Sequence, residues 1–255
     1  MDSNRTGLPL VFVHGTRVSG TMWRPVIQAI GTRHPTAAPD LPGHGARRGE
    51  PFTMAGAVAT VVDAVDTLGG RALVVGLSLG GYVATAVAGS HPDRVGGLVA
   101  MGCTAVPRGL LRATYQGAAR MAARHPQRAD RLSEFGFRRT LPRPLADAMV
   151  AGGLSCEVTP SVIRAVVATD PLAHLAAYPG PVWLVNGERD RFRRDERRFH
   201  HACRDGRVLV LPGCGHLTSL ADTAALTRHL LDAAAVVTAR TDRTPARTGG
   251  TASSP

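Results

Sequence analysis

The stretch Ala72-Leu73-Val74-Val75-Gly76-Leu77-Ser78-Leu79-Gly80-Gly81 decides how the chain is to be read. Ala72 to Gly76 is a continuous apolar run, which a parallel strand buried on both faces requires. Gly80 to Ser90 follows as a small-residue helix. Between them stands Gly-x-Ser-x-Gly. Gly76 and Gly80 leave room for a tight strand-to-helix turn, and Ser78 at its tip takes a strained backbone with its oxygen projecting outward. The helix that opens after Ser78 directs free N–H groups and its positive dipole end toward developing negative charge.

The same alternation extends outward from this unit. Leu8 to His14, Thr36 to Ala38, Val95 to Met101, Val182 to Asn186 and Arg207 to Leu211 read as further strands. Met22 to Ile30, Met54 to Leu68 and Thr223 to Ala234 have helical periodicity, the second ending at Gly69-Gly70. Strands alternating with helices predict an α/β fold with a mostly parallel central sheet flanked by helices. From Pro107 to Tyr178 the rhythm breaks into amphipathic pieces cut by Pro126, Pro142, Pro144, Pro160 and Pro171. This predicts a mobile helical cap over residues 107–178, inserted between a first core part, 1–106, and a second, 179–239. The polar tail, 240–255, is expected to be disordered.

Composition bounds the function. A chain of 255 residues with 44% hydrophobic content can bury a large core. The formal charge is +11, and all 30 Lys+Arg residues are arginine. Yet aromatic residues make up only 4%, and no aromatic-interleaved basic stripe is present, so nucleic acid is not an expected partner. No apolar run reaches the roughly 18 residues a membrane span needs, and Met1 to Leu8 lacks a signal-peptide core, so a soluble, cytoplasmic protein without a membrane partner is expected. Cys103, Cys156, Cys203 and Cys214 are scattered and form no CxxC pair, which predicts reduced thiols and no metal site.

A serine is a weak nucleophile near neutral pH and needs a base. His216 is the best candidate, carried in the glycine-rich loop Leu211-Pro212-Gly213-Cys214-Gly215-His216 after the last strand. The imidazole in turn needs an acid to fix its tautomer. Gly187-Glu188-Arg189-Asp190 follows a buried strand at its carboxyl end, where catalytic groups gather in open α/β sheets. Asp190 is preferred, with Glu188 and Asp195 as competitors and a surface ion pair as the structural alternative.

The order Ser, acid, His completes a resemblance to the α/β-hydrolase superfamily, in its serine-nucleophile, esterase/thioesterase-like branch with a helical cap. Val11-Phe12-Val13-His14-Gly15 resembles that family's His-Gly oxyanion loop, and Trp23-Arg24-Pro25 the start of its first helix. Asp40-Leu41-Pro42-Gly43-His44-Gly45 resembles its D-x-x-G-x-G loop, and Gly213-Cys214-Gly215-His216-Leu217 its histidine loop. The resemblance implies an α/β-hydrolase fold and a Ser78–His216–Asp190 triad. It implies an oxyanion hole from the backbone N–H groups of Thr16 and Leu79, structural roles for His14 and His44, and no cofactor. The implied reaction is acyl-enzyme hydrolysis of a small or medium carboxylic ester, thioester or lactone. The alternatives are acyl transfer, processing of a carrier-protein or coenzyme A thioester, C–C bond hydrolysis, and a non-catalytic binding protein. Arg17 and Trp23 are candidate substrate contacts. An acidic carrier domain or a coenzyme A thioester is a candidate partner for the arginine-rich run Arg189 to Arg198. Ala46-Arg47-Arg48 stands where relatives commonly place a serine, and Leu220-Ala221-Asp222-Thr223 where they often carry an acid and proline, which argues against a narrower subfamily.

Overall fold

The computed structural model describes residues 7–106 and 109–243, without the side chains of residues 110–112, 114, 115 and 118. Six strands, β1 (Leu10–Val13), β2 (Thr36–Ala37), β3 (Ala72–Leu77), β4 (Val95–Met101), β5 (Pro181–Gly187) and β6 (Asp205–Leu211), form one sheet in the order β2-β1-β3-β4-β5-β6. Every pairing is parallel. The chain runs outward from β1 to β2 and then returns to β3 on the other side of β1. The crevice between β1 and β3 is therefore a topological switch point, where ligand sites form at the carboxyl ends of strands.

Successive strand residues face opposite sides, so the alternation builds two cores. Val11, Val13, Val74, Leu98, Ala100, Val182 and Leu184 face one side. There they meet α2 (Met54–Thr67), α3 (Leu79–Ser90), α8 (Pro171–Ala177) and α9 (Glu196–Ala202). Leu10, Phe12, Leu73, Val75, Val99, Met101 and Val185 face the other, toward α1 (Arg24–Ile30) and α10 (Thr223–Thr241). The small residues of α3 let it lie flat on the sheet, and every residue from Leu79 to Ala88 is buried.

Four helices stand between β4 and α8: α4 (Gly109–Arg124), α5 (Pro126–Thr140), α6 (Arg143–Val150) and α7 (Thr159–Ala168). Three of the expected prolines, Pro126, Pro144 and Pro160, stand in the first turn of these helices, where a missing N–H costs nothing. The segment expected as one cap is not uniform. α8 packs on α3 in the sheet-flanking layer, where Leu175 is buried and Tyr178 Oη donates to Val95 O. Leu145, Ala146 and Met149 of α6 join the core beside α1. At the carboxyl terminus, α10 continues to Thr241, past the expected end at Ala234, because Val237 still packs on the sheet. The remainder of the expected tail, 244–255, lies outside the described residues. Among the described residues, no helix is long and apolar enough to cross a membrane.

Candidate active site

Ser78 is the N-cap of α3 with φ 58° and ψ −117°, one of two described non-glycine residues with positive φ. Its N–H donates to Met101 O at 2.8 Å, which ties the turn to the end of β4. The two flanking glycines are sterically obligatory. A Cβ at Gly76 would collide with the Gly80 carbonyl, and one at Gly80 would collide with the carbonyl of Val13. Such a conformation persists only where its surroundings over-determine it.

His216 enters from the loop after β6. Its Nδ1 stands 2.8 Å from Asp190 Oδ2, and its ring stacks on Phe192 with centroids 4.5 Å apart. The other oxygen of Asp190 accepts from the Phe192 N–H at 2.8 Å, so the carboxylate is held at both ends and buried. The two competing acids are engaged elsewhere. Glu188 accepts from the Gly213 N–H at 2.8 Å and shapes the histidine loop. Asp195 accepts from the Val106 N–H at 2.8 Å and pairs with Arg198.

Thr16 and Leu79 lie across the switch point, after β1 and β3 respectively. The Leu79 N–H sits in the first turn of α3, where no intrahelical acceptor exists. The Gly15 N–H points at Met22 Sδ, 3.4 Å away, which leaves Thr16 as the next donor along the loop. His14 braces that loop. It accepts from the Leu41 N–H at Nε2, so its proton sits on Nδ1 and is donated to Gly15 O. Burial, reinforced by the neighbouring His44, lowers the His14 pKa to about 3. His44 is likewise lowered by burial, and its ring meets His14 edge to face with centroids 4.9 Å apart. Both imidazoles are thus neutral fixtures between the loops. Asp40 completes the brace by accepting from the N–H groups of Gly20 and Ala46, each at 2.8 Å.

Ser78, Leu79, Thr16, Arg17 and His216 line one cavity of about 350 Å³, with Asp190 behind His216. Apart from Thr159, the rest of the wall is mainly apolar, including Met22, Tyr82, Phe137, Met149, Val162 and Phe192. Trp23, a candidate substrate contact from the sequence, lies elsewhere. The short turn Gly20–Trp23 directs its indole into the core, where it is fully buried 5.1 Å from the Phe12 ring, and it lines no part of the cavity.

Two residues that the sequence reading passed over stand at the site. Phe192 is the one aromatic in the arginine-rich run after Asp190, a signal that was available. Gly102, with φ 57°, lies beneath the Asp190–His216 pair. All four cysteines are free thiols, Cys103 and Cys156 buried. Among the described residues no group of His, Cys, Asp and Glu is arranged to hold a metal ion.

The profile described as the alpha/beta hydrolase family matches residues 10–228. Over 91 residues the chain is 36% identical to a pimeloyl-[acyl-carrier protein] methyl ester esterase of Edwardsiella ictaluri, covering 35% of this chain and 34% of that protein. Over 89 residues it is 37% identical to Lipase LipV of Mycobacterium tuberculosis, covering 34% of each. The match thus spans about a third of the length of these curated relatives. A thermophilic esterase from Thermogutta terrifontis superposes with a TM-score of 0.75 at 22% identity, over 91% of both chains, a likeness that shows the fold. With its family profile, parallel sheet and strand-turn-helix serine in agreement, the chain belongs to the alpha/beta hydrolase family.

Proposed function

We propose that the chain is a serine hydrolase that cleaves a small or medium carboxylic ester, thioester or lactone through an acyl-enzyme. One observation carries this reading: Ser78 on its strained turn and His216, backed by Asp190, open into the same apolar cavity. An ionised Asp190 only accepts hydrogen bonds, so the proton of His216 belongs on Nδ1 and Nε2 is left as the base. Nε2 takes the Ser78 proton as Oγ attacks the carbonyl carbon. The N–H groups of Leu79 and Thr16 receive the oxyanion, which is stabilised only in the transition state. His216 then protonates the leaving alcohol or thiol, and a water activated by the same imidazole releases the acid. No step requires a cofactor. Turnover of esters, thioesters and lactones of increasing acyl size tests the reading. The cavity predicts a preference for short and medium acyl groups, and failure to cleave any of the three classes would refute it.

A second reading, an acyl group delivered on an acidic carrier or coenzyme A, draws support from relatives named for an acyl-carrier protein ester. Arg189, Arg191, Arg194 and Arg197 are exposed beside Phe192 and make no ion pair among the described residues, whereas Arg193 and Arg198 pair with Glu196 and Asp195. Unpaired guanidinium groups steer anions and bind phosphate bidentately. Arg191→Ala with Arg194→Ala should then raise KM for the carrier-bound substrate alone, an effect that shrinks as salt screens the charges. Equal effects on a neutral thioester with the same acyl group would remove this reading.

A further inference from the structure

We propose that the ester cleaved at this site carries a carboxylate of its own, and that Arg17 binds it. The inference rests on the serine-hydrolase reading above. Arg17 follows Thr16 directly, so its Cα is about 3.8 Å from that of the proposed oxyanion donor. The residue lines the cavity. Like Ser78, it holds positive φ, here 74°, with no glycine to relieve it. Both ends of the residue are tied down. Its carbonyl accepts from the Ser155 N–H at 2.9 Å, and its Nη1 donates to Ser133 Oγ at 3.0 Å. Ser133 Oγ spends its own proton on Ala129 O, so it can serve Arg17 as an acceptor.

No counter-charge meets this guanidinium among the described residues. Asp130, one turn from Ser133, is directed at Arg48 and the Cys156 N–H. Glu157 also pairs with Arg48. Burial pushes the Cys156 thiol up to about 11, so it is neutral beside Arg17. The helices α4 and α7, which wall the cavity, contain no Asp or Glu at all. Ser133 is a single neutral acceptor for a cationic group with five N–H donors. A fixed, unpaired cation in a mainly apolar wall is costly unless a ligand brings the anion. A planar carboxylate matches the guanidinium fork. The phosphate of a carrier's prosthetic arm lies too many bonds from the thioester carbonyl to reach a residue beside Thr16. The substrate class is therefore a hemi-ester of a dicarboxylic acid, or an ester of similar shape with one free acid group.

The test compares kcat/KM for monomethyl succinate, glutarate and adipate with that for the corresponding dimethyl diesters. The wild type should favour the hemi-ester of at least one chain length. In Arg17→Gln the ratio of hemi-ester to diester kcat/KM should fall about ten- to a hundredfold, chiefly through KM, as for loss of one charge-assisted contact. Arg17→Lys should recover part of that ratio, since it restores the charge without the fork. An unchanged ratio in Arg17→Gln, or a wild type that prefers the diester at every length, would overturn the proposal. Failure of the underlying reading looks different: Ser78→Ala would then cleave the diesters as fast as the wild type.

Discussion

Gly102 lies directly against the Asp190 carboxylate. A Cβ there would stand 3.0 Å from Asp190 Oδ2 and 3.0 Å from His216 Nδ1, and the backbone has φ 57°. Gly102→Ala must therefore displace the pair and adopt a conformation that only glycine takes freely. The expected cost is about 1 kcal/mol or more in stability, with an activity loss greater than that destabilisation explains. Thermal unfolding and kcat/KM measured on the same preparation check this. Wild-type turnover in a folded Gly102→Ala would show that the pair tolerates displacement.

Asp190 and Glu188 stand two residues apart but make different contacts, Asp190 with His216 and Glu188 with the Gly213 N–H. Asp190→Asn keeps the shape but favours the wrong tautomer of His216, and kcat should fall roughly a thousand- to ten-thousandfold. Glu188→Gln retains an oxygen for the Gly213 N–H and should cost less than about tenfold. The reverse ranking would transfer the acid's role to Glu188.

His14 makes stability depend on pH. Its folded-state pKa, about 3, lies below the ordinary value of 6.5. The unfolded chain therefore binds the proton more readily, and stability present above pH 6.5 is lost as pH falls toward 3. Linkage gives a loss of about 2 kcal/mol between pH 7 and pH 5 from this group. His44, shifted the same way, adds to it. Urea unfolding at the two pH values should show a steeper decline in the wild type than in His14→Asn. Equal slopes would mean that His14 takes up its proton as readily in the folded protein as in the unfolded chain.

The helices between β4 and β5 should not move as one unit. α6 is anchored by Leu145 and Met149 in the core and by Thr21 Oγ1 donating to Ala148 O, and α8 is part of the layer beneath α3. α4 and α7 pack on each other over the cavity. Amide exchange should be fast in α4 and α7 and slow in α6 and α8, because opening free energy follows buried contact. Uniformly slow exchange across all four would rule out a lid.

Legibility in the sequence follows how local each determinant is. Gly76, Ser78 and Gly80 are decided within one strand-turn-helix unit, so spacing alone reveals the turn. The alternation of apolar runs gives the parallel α/β architecture for the same reason. Gly102 is opaque, because its constraint arises only once β4 lies between β3 and β5 and brings Asp190 and His216 over it. Trp23 misleads for a related reason: its position in the loop after β1 suggests the site, and only the path of the short turn sends the indole into the core. α8 resembles the helices before it in pattern, and its place is fixed by contact with α3, a helix some 80 residues earlier in the chain.

The most direct test of the account is the covalent one. The wild type, Ser78→Ala and His216→Ala are each treated with a fluorophosphonate, and the modified peptide is located by mass spectrometry alongside ester turnover. Ser78 should carry the label in the wild type. Ser78→Ala should take up none, with turnover reduced about a thousandfold or more, and His216→Ala should label slowly for want of its base. A label on another residue, or near wild-type turnover in pure Ser78→Ala, would contradict the assignment of Ser78 as the nucleophile.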